Sequence, residues 1–440
     1  MAKIVYVGDN RNRYNFGCRA TSTALSQLIS QDHEIVGRVY GHYKNDDTRR
    51  IFYVDLLPAS VYKMLGRRKH WEWMKKWLVL TIHILKRTKV CFSRFDFIGY
   101  DFDKSIKNLI KCLPANPVLR ELDLRQYDFD YLVVNGEGSF IFSTLPWREG
   151  MVEAMLMYWA KSMGKKVFYM NGMFSEKPGE ELNTETINNY RPLFETIDFV
   201  GVREYRSLAF AEKYFPKARI TLYPDALFTW HKYINDSLKI TNGKYYIGFS
   251  QATDASFWEY DFSAPYICIS GSSLYRGARN ENDVIEHYVK LIDTIKKEIS
   301  CNIYIVEACD GDECLREVGK QSDVFVLPKD TPILAAGKIL ANARVYITGR
   351  YHPAILASLG GTPCIFLSCN SHKNQSLQEL LAYENPHEYN VLSSDKEINA
   401  ILNEAKMLIS QGESYRDRIK ERIKILGDKA EEMRYVLKSD

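Results

Sequence analysis

The sequence predicts an α/β protein with two doubly wound parallel sheets. The chain has 440 residues, which is too long for one hydrophobic core and suits two domains. Short runs of β-branched and aromatic residues alternate with segments of helical period, the pattern of parallel strands covered by helices. A polar stretch at 235–244, with Asn-Asp and Asn-Gly, separates these elements into two series. We expect the linker between two Rossmann-like domains there.

The predicted strands of the first series each end in a turn or a polar break. They cover 4–7, 34–40, 131–134, 166–170, 199–202 and 221–223. The second series has strands at 245–249, 266–269, 302–306, 324–327, 345–348 and 364–367, with helices such as 284–299 and 333–341 between them. After residue 395 the chain is charged and of helical period, which predicts terminal helices. The predicted division is therefore 1–235, 245–394 and 395–440.

Composition and charge exclude several classes of protein. Residues of the AVILMFWYC set make up 46% of the chain and charged residues 26%, so the sequence does not indicate disorder. The net charge of +4 is too small to indicate nucleic-acid binding. We find no secretion signal, no apolar run of bilayer length, and no cysteine spacing typical of a zinc site. We expect a cytoplasmic protein with reduced thiols and no metal.

One stretch, at 58–95, interrupts the alternation and is predicted to be an insertion. Trp73, Trp77, Leu80 and Ile84 share one helical face, and lysines and arginines cluster at both ends of the stretch. Such helices lie in a membrane interface. A core helix with a solvated basic rim explains the same pattern, so both interpretations stay open.

Two loops in the first half are candidate ligand contacts, because ligands of open α/β sheets bind beyond the carboxyl ends of the strands. Asn15 and Gly17 belong to a loop that opens a helix, where backbone amides can hold an anion or a sugar hydroxyl. This loop matches neither the dinucleotide fingerprint nor the P-loop. Asn135 and Glu137 follow a strand in a turn with two glycines, which turns Glu137 toward the cleft. A turn with a solvated glutamate is the simpler alternative.

Basic residues follow three later strands. Arg203 leaves a buried strand at its carboxyl end, where it either pairs with an acid or binds a carboxylate or phosphate. Arg350, Tyr351 and His352 stand just before a proline that suits a first helical turn. A cation, an imidazole and free helix amides therefore converge on one place. Lys373, after the next strand, adds a cation on the same side of the sheet.

The segment Arg350-Tyr351-His352, followed by a helix of small residues and by Gly-Thr-Pro-Cys at 361–364, resembles the polysaccharide pyruvyl transferase family. Members of this family move an enolpyruvyl unit from phosphoenolpyruvate onto a sugar as a cyclic ketal. The similar pattern extends from Asn15 to Lys373. The resemblance implies the GT-B fold of two Rossmann-like domains, with the active site in the cleft between them.

The resemblance also implies roles for individual residues. It makes Arg350 and His352 donor-binding and catalytic, and it makes Arg203 a donor-binding arginine. Histidine is the usual acid near neutral pH, so His352 is the predicted catalytic acid. Pro224-Asp225 matches a recurring Pro-Asp at the end of the first domain. The full prediction assigns the donor to Arg203, Arg350, Tyr351, His352 and Lys373, and the acceptor to Asn15, Gly17, Asn135, Glu137 and Asp225. Glu137 is the predicted general base, with Asp225 or the substrate phosphate as alternatives.

The sequence therefore predicts a pyruvyl transferase that uses phosphoenolpyruvate as its donor substrate and needs no cofactor. We expect its acceptor to be a sugar of a surface-polysaccharide precursor, lipid-linked, reached at the inner membrane face through 58–95. A GT-B glycosyltransferase that uses a nucleotide sugar is the main alternative, since the same fold permits it. A catalytically silent scaffold is a third, against which Arg350 and His352 argue.

Overall fold

The computed structural model of the chain describes residues 1–40, 98–113, 117–143, 148–234, 240–241, 244–245, 262, 264–274 and 280–438. The predicted insertion at 58–95 lies outside these residues. Most of the predicted linker at 235–244 and of the predicted strand at 245–249 lies outside them as well. The predicted domain boundary therefore stays a prediction.

The N-terminal half forms a parallel sheet covered by helices. Its strands are β1 (Lys3–Val7), β2 (Glu34–Val39), β3 (Tyr131–Asn135), β4 (Phe140–Ile141), β5 (Lys166–Gly172), β6 (Phe174–Ser175), β7 (Phe199–Val202) and β8 (Ile220–Leu222). β4 pairs with β6, and the other strands form one parallel sheet in the order β2-β1-β3-β5-β7-β8. The helices are α1 (Phe16–Ser30), α2 (Phe102–Cys112), α3 (Arg148–Ser162), α4 (Thr184–Phe194) and α5 (Tyr205–Tyr214). A 3-10 helix, Ala226–Lys232, follows β8.

The C-terminal half repeats this architecture. A short antiparallel pair, β9 (Ile240–Thr241) and β10 (Lys244–Tyr245), precedes it. Its strands are β11 (Tyr266–Ser272), β12 (Asn302–Val306), β13 (Phe325–Leu327), β14 (Val345–Gly349) and β15 (Cys364–Phe366), in the parallel order β13-β12-β11-β14-β15. The helices are α6 (Glu281–Glu298), α7 (Leu315–Gln321), α8 (Ile333–Asn342), α9 (Tyr351–Leu359), α10 (Lys373–Leu380), α11 (Asp395–Glu431) and α12 (Met433–Val436).

The central strands of both sheets are almost wholly buried, because helices cover both faces of each sheet. β3 and β14 are buried along almost their whole length. The second half of the sequence alternates strand and helix as predicted, and α11 and α12 end the chain. The predicted fold class, two parallel α/β sheets followed by terminal helices, is confirmed by this topology.

One hydrophobic core crosses from the first half to the second. It includes Phe16 on α1 and Trp230 on the 3-10 helix, together with Tyr266, Ile355 and Ile423 of the C-terminal half. α1 packs against α8 and α9, and α11 packs against the 3-10 helix Ala226–Lys232. This shared core brings the carboxyl ends of the two sets of strands together.

The terminal helix α11 is fixed to the second sheet layer by a buried arginine. Arg416 donates hydrogen bonds to the carbonyl oxygens of Ala341 (2.9 Å), Ala343 (2.7 Å) and Gly360 (2.9 Å). These carbonyls lie at the C-terminal ends of α8 and α9, where helices leave acceptors without an intrahelical partner. One side chain therefore satisfies the ends of two neighbouring helices.

Polar contacts also join the two halves beside the carboxyl ends of the strands. The Glu204 carboxylate caps α5 by accepting from the Ser207 amide at 3.0 Å, and it lies 3.1 Å from His372 Nε2 of the second half. The buried Glu204 carboxylate therefore links the first half of the chain to His372 of the second half. Arg206 pairs with Glu379 on α10 at 2.7 Å.

Candidate active site

A cavity of about 210 Å³ lies where the carboxyl ends of strands from both sheets meet. Among the predicted site residues, Asn15, Gly17, Glu137, Arg203, Arg350, Tyr351, His352 and Lys373 line it. Asn135 and Asp225 do not line it, because both are buried behind the residues that do. The sequence did not single out further lining residues, which include Asn10, Arg13, Cys18, Ser139, Glu149, Met173 and Asn370.

Backbone pairing between the two halves closes one side of the cavity. Asn15 and Cys309 form an antiparallel bridge. The amide of Phe16 donates to the carbonyl of Ala308 at 2.9 Å, and the amide of Asp310 donates to the carbonyl of Tyr14 at 3.0 Å. The loop that opens α1 is therefore held against the loop that follows β12. Asn15 itself caps α1, since its side chain accepts from the Cys18 amide.

His352 stands in the first turn of α9, and Gly17 lies against its ring. A Cβ atom placed on Gly17 would lie 2.7 Å from both Cβ and Nδ1 of His352. Any side chain there would have to displace the ring, which explains the glycine at this position. Gly17 is the second residue of α1 rather than part of the loop before the helix, where the sequence pattern placed it. The His352 side chain is 11% exposed, and its Nε2 atom lies 3.1 Å from Oδ2 of Asp225.

Asp225 caps the 3-10 helix that follows β8 and is fully buried. Its Oδ1 accepts from the Thr21 hydroxyl at 2.7 Å and from the Leu227 amide at 3.0 Å. Burial alone would raise the pKa of Asp225, but the facing His352 and Arg203 bring that pKa well below its usual range. Asp225 is therefore a carboxylate, and it contacts other side chains rather than the cavity.

Arg203 follows β7 and is 2% exposed. Its Nη1 lies 3.1 Å from Oδ2 of Asp225 and 3.1 Å from Nε2 of His352. The guanidinium lies over the Tyr351 ring, 4.5 Å from the ring centroid, a cation–π geometry. Arg203 thus pairs with an acid, one of the two alternatives drawn from the sequence, while it also lines the cavity.

Contacts with neighbouring residues of the second half hold Arg350 at the end of β14. Its amide donates to the Thr348 hydroxyl at 2.9 Å, and its Nη2 pairs with the carboxylate of Asp312. Asp312 is fully buried, whereas the Arg350 side chain keeps 12% of its surface exposed. The exposed part faces the cavity, which Arg350 lines.

Lys373 is the first residue of α10, and its Nζ donates to Oδ1 of Asn370 at 2.7 Å. Burial lowers the pKa of Lys373, and the nearby charges of Arg350 and Arg203 lower it further. Within the described part of the chain, Lys373 forms no ion pair. Its ammonium group therefore lacks the direct carboxylate partner that Arg203 and Arg350 have, although its charge acts on the pKa of the nearby Glu388 carboxyl.

Glu137 lies across the cavity in a backbone conformation with φ of 36°, which is uncommon outside glycine. Its Oε1 accepts from Asn10 Nδ2 at 2.7 Å and from Asn135 Nδ2 at 3.0 Å. Its Oε2 lies 3.4 Å from the thiol of Cys18. The amide donors fix Oε1, so Oε2 is the carboxylate oxygen available to a ligand. Asn135 acts on the site through Glu137.

Arg13 and Glu149 complete the wall near Glu137. Arg13 Nη2 pairs with Oε1 of Glu149, and both residues line the cavity. Asn10 and Arg13 lie in the loop that follows β1, so the strand-end rule could have found them. The sequence gives no motif that distinguishes them from other polar loop residues.

Within the described residues, no group of three or more His, Cys, Asp or Glu side chains is placed to hold a metal ion. None of the described helices has a stretch long and apolar enough to cross a bilayer.

The comparisons with known proteins give one family and one fold. The family model described as "Polysaccharide pyruvyl transferase" matches residues 15–371, whereas no curated protein matches the chain significantly. Sucrose-phosphate synthase from Thermosynechococcus elongatus superimposes with a TM-score of 0.51 at 12% identity, with 100% of this chain and 98% of that chain covered. UDP-GlcNAc 2-epimerase from Neisseria meningitidis gives 0.52 at 10% identity, with 100% of both chains covered.

A UDP-glucosyltransferase from Polygonum tinctorium is similar as well, with a TM-score of 0.50 at 11% identity and with 100% of this chain and 99% of that chain covered. At such identities the likeness shows the fold alone, and that fold is the GT-B fold of glycosyltransferases and epimerases. The family match covers most of the chain, from the loop that opens α1 to the strand end before α10. The chain is therefore a transferase with the GT-B fold, and it belongs to the polysaccharide pyruvyl transferase family.

Proposed function

We propose that this chain transfers the enolpyruvyl unit of phosphoenolpyruvate to two hydroxyls of a saccharide, forming a pyruvate ketal and releasing phosphate. The observation that carries the proposal is the charge arrangement of the cavity. Lys373, without an ion pair in the described residues, lines the cavity with Arg350 and Arg203, and the Glu137 carboxylate lines it as well. A small dianionic donor suits the first group, and a hydroxyl suits the second.

The donor is held by cations and helix amides. Phosphoenolpyruvate carries a carboxylate and a phosphate on a three-carbon frame, so its site needs fixed positive charges. Arg350 and Lys373 supply two of them, and the N-terminus of α9 supplies partial positive charge. The cavity volume of about 210 Å³ is below the ~300–1,000 Å³ of pockets that enclose drug-sized ligands. It suits this compact donor better than a nucleotide sugar.

The chemistry requires one acid and one base. Protonation of the donor methylene turns it into a methyl group and leaves C2 open to attack by an acceptor oxygen, and His352 is the acid. Oε2 of Glu137 takes the proton of the attacking hydroxyl. The bond from C2 to the phosphate oxygen then breaks and phosphate leaves. The second hydroxyl closes the ketal as its proton passes to that phosphate.

Binding and turnover test this proposal. We expect calorimetry with the full chain to detect phosphoenolpyruvate, and His352→Gln to bind it within about tenfold of the unsubstituted chain. Turnover of that variant should fall by roughly 10²–10⁴, as for other lost general acids. Glu137→Gln should lower turnover in the same way. Wild-type turnover in either variant would remove the role assigned to that residue.

A nucleotide-sugar glycosyltransferase is the alternative, because the structural neighbours named above include a UDP-glucosyltransferase. Thermal-shift measurements distinguish the two, since a ligand that binds only the native state raises its melting temperature. Stabilisation by nucleotide sugars and none by phosphoenolpyruvate would favour the alternative.

We propose further that the acceptor is a lipid-linked precursor reached at the inner membrane face through 58–95. The support is the sequence pattern of that segment, with Trp73 and Trp77 on one helical face between clusters of basic residues. Binding to anionic vesicles should weaken with salt, at about 1 kcal/mol for each basic residue near the surface. Co-sedimentation of the native chain and of a variant with its 58–95 cations neutralised tests this. Equal partitioning of both would return the segment to a core helix.

A further inference from the structure

The two ring nitrogens of His352 have different surroundings. Nε2 lies 3.1 Å from both Oδ2 of Asp225 and Nη1 of Arg203, and these two atoms are themselves 3.1 Å apart. A guanidinium nitrogen only donates hydrogen bonds, and a carboxylate oxygen only accepts them. If Nε2 carried no proton, it would accept from Nη1, but its lone pair would then face those of the carboxylate oxygen Oδ2 at 3.1 Å. The triangle is satisfied when Nε2–H and Nη1–H both donate to Oδ2.

The Asp225 carboxylate, which accepts the hydrogen bond from Nε2–H, is held in one orientation. Oδ1 of Asp225 is fixed by the Thr21 hydroxyl at 2.7 Å and by the Leu227 amide at 3.0 Å, and the whole side chain is buried. Nδ1 of His352 makes no hydrogen bond to any residue that the structure describes. It lies at the Gly17 side of the ring, and both residues line the cavity.

We infer that Asp225 is a positioning residue that fixes the Nε2–H tautomer of His352, so that Nδ1 is the ring atom that exchanges a proton with the substrate. The inference rests on the proposed function only for the identity of that substrate. In that reaction the Nδ1–H bond of the imidazolium breaks as its proton bonds to the donor methylene. The neutral ring stays protonated on Nε2, which donates its hydrogen bond to Asp225. Nδ1 regains a proton from solvent after the product leaves.

Asp225→Asn keeps the shape of the side chain and should reverse the tautomer, and it also removes the carboxylate partner of Arg203. The Leu227 amide and the Thr21 hydroxyl both donate to Oδ1, so they hold the oxygen of the new amide in that place. The NH₂ group then occupies the position of Oδ2 and donates to Nε2. The ring proton moves to Nδ1, and the imidazolium loses its acceptor. We expect kcat to fall about 10²- to 10⁴-fold, as for a carboxylate that orients a catalytic histidine, with KM for phosphoenolpyruvate within about tenfold.

Nitrogen NMR of the full chain labelled with ¹⁵N-histidine tests the inference without substrate. The signals of His352 are assigned from their loss in His352→Gln. We expect the Nε2–H tautomer in the native chain and the Nδ1–H tautomer in Asp225→Asn. Glu204→Gln is the matched control, because it alters the other carboxylate–histidine pair, Glu204 with His372, and should leave the His352 signals in place.

The outcomes separate this inference from the proposed function. An Nδ1–H tautomer in the native chain overturns the inference, and that spectrum decides even if Asp225→Asn does not fold. An unchanged tautomer or an unchanged kcat in a folded Asp225→Asn also overturns it. If the tautomer reverses as expected while phosphoenolpyruvate is neither bound nor consumed, the tautomer assignment stands and the proposed function fails.

Discussion

Replacing Lys373 with methionine should make the empty protein more stable and its complex with the donor weaker. Burial and the charges of Arg350 and Arg203 lower the pKa of Lys373, so the charged form is disfavoured in the folded state. Each pKa unit of such a shift corresponds to about 1.4 kcal/mol. A lysine with a lowered folded-state pKa destabilises the fold fully below that pKa, and the penalty disappears as pH rises toward 10.5. The gain in Lys373→Met should therefore be largest near neutral pH.

Lys373→Met should weaken donor binding even though it makes the empty protein more stable. A charge-assisted hydrogen bond to an anion contributes about 1.5–3 kcal/mol, so the dissociation constant of phosphoenolpyruvate should rise about 10- to 100-fold. Calorimetry measures this constant, and urea unfolding at pH 7 and at pH 10 measures the stability. Lys338→Met is the matched control, because Lys338 is also partly buried at a helix but lies on α8 and does not line the cavity.

Stability of the empty protein and affinity for the donor are expected to change in opposite directions. If Lys373 were merely structural, its substitution would lower the stability of the protein and leave donor affinity unchanged. If Lys373→Met is less stable than the native chain and binds phosphoenolpyruvate equally well, the charge of Lys373 is already compensated. The anion would then bind elsewhere, and the assignment of the donor to this side of the cavity would be refuted.

Three further substitutions test the surroundings of the site. Gly17→Ala should lower kcat at least about tenfold with the fold retained by circular dichroism, because the new Cβ would lie 2.7 Å from His352 Nδ1; unchanged kcat would show that the ring can shift freely. Arg416→Met should lower the free energy of unfolding by about 3–5 kcal/mol, since the carbonyls at the ends of α8 and α9 lose their donor; urea unfolding checks this, and donor affinity should not change. Burial would raise the pKa of Glu204, but His372 and the Ser207 contacts bring it below 4.5, so this residue contributes stability above that pH and loses it as pH falls through the folded-state pKa. Glu204→Gln should therefore flatten the acid side of the stability profile, and a profile as steep as that of the native chain would contradict the assignment.

The regular elements could be predicted because their periods are carried by neighbouring residues. The predicted strand at 302–306 coincides with β12, and the predicted helix 333–341 differs from α8 by a single residue at its end. The short pair β4 and β6 was missed, since two residues are too few to establish an alternation. β5 continues through Asn171 and Gly172, where the sequence suggested a turn. Asn171 has φ of 53° there, so turn-forming residues were needed inside the strand.

The candidate site was only partly predictable. The rule that ligands bind at strand carboxyl ends selected Glu137, Arg203, Arg350 and His352, and these line one cavity. The family resemblance added Asp225, whose burial depends on how the 3-10 helix packs against α9, a contact between residues more than 100 positions apart. Pairing of this kind leaves no period or spacing in the sequence. The roles of these residues stay predictions until the variants above are measured.

The charges around the cavity are arranged so that the empty site is tolerable and the filled site is favoured. Arg203 has Asp225 as its partner, and Arg350 has Asp312, both fully buried carboxylates. An unpaired buried charge is strongly destabilising, whereas a paired one is close to neutral. These pairs hold each guanidinium in a fixed place before a ligand arrives, and Lys373 leaves positive charge for the ligand to neutralise. A substrate with two anionic groups therefore meets guanidinium groups that are already in place, together with the unbalanced positive charge of Lys373. Such a site binds tightly without a large ordering cost.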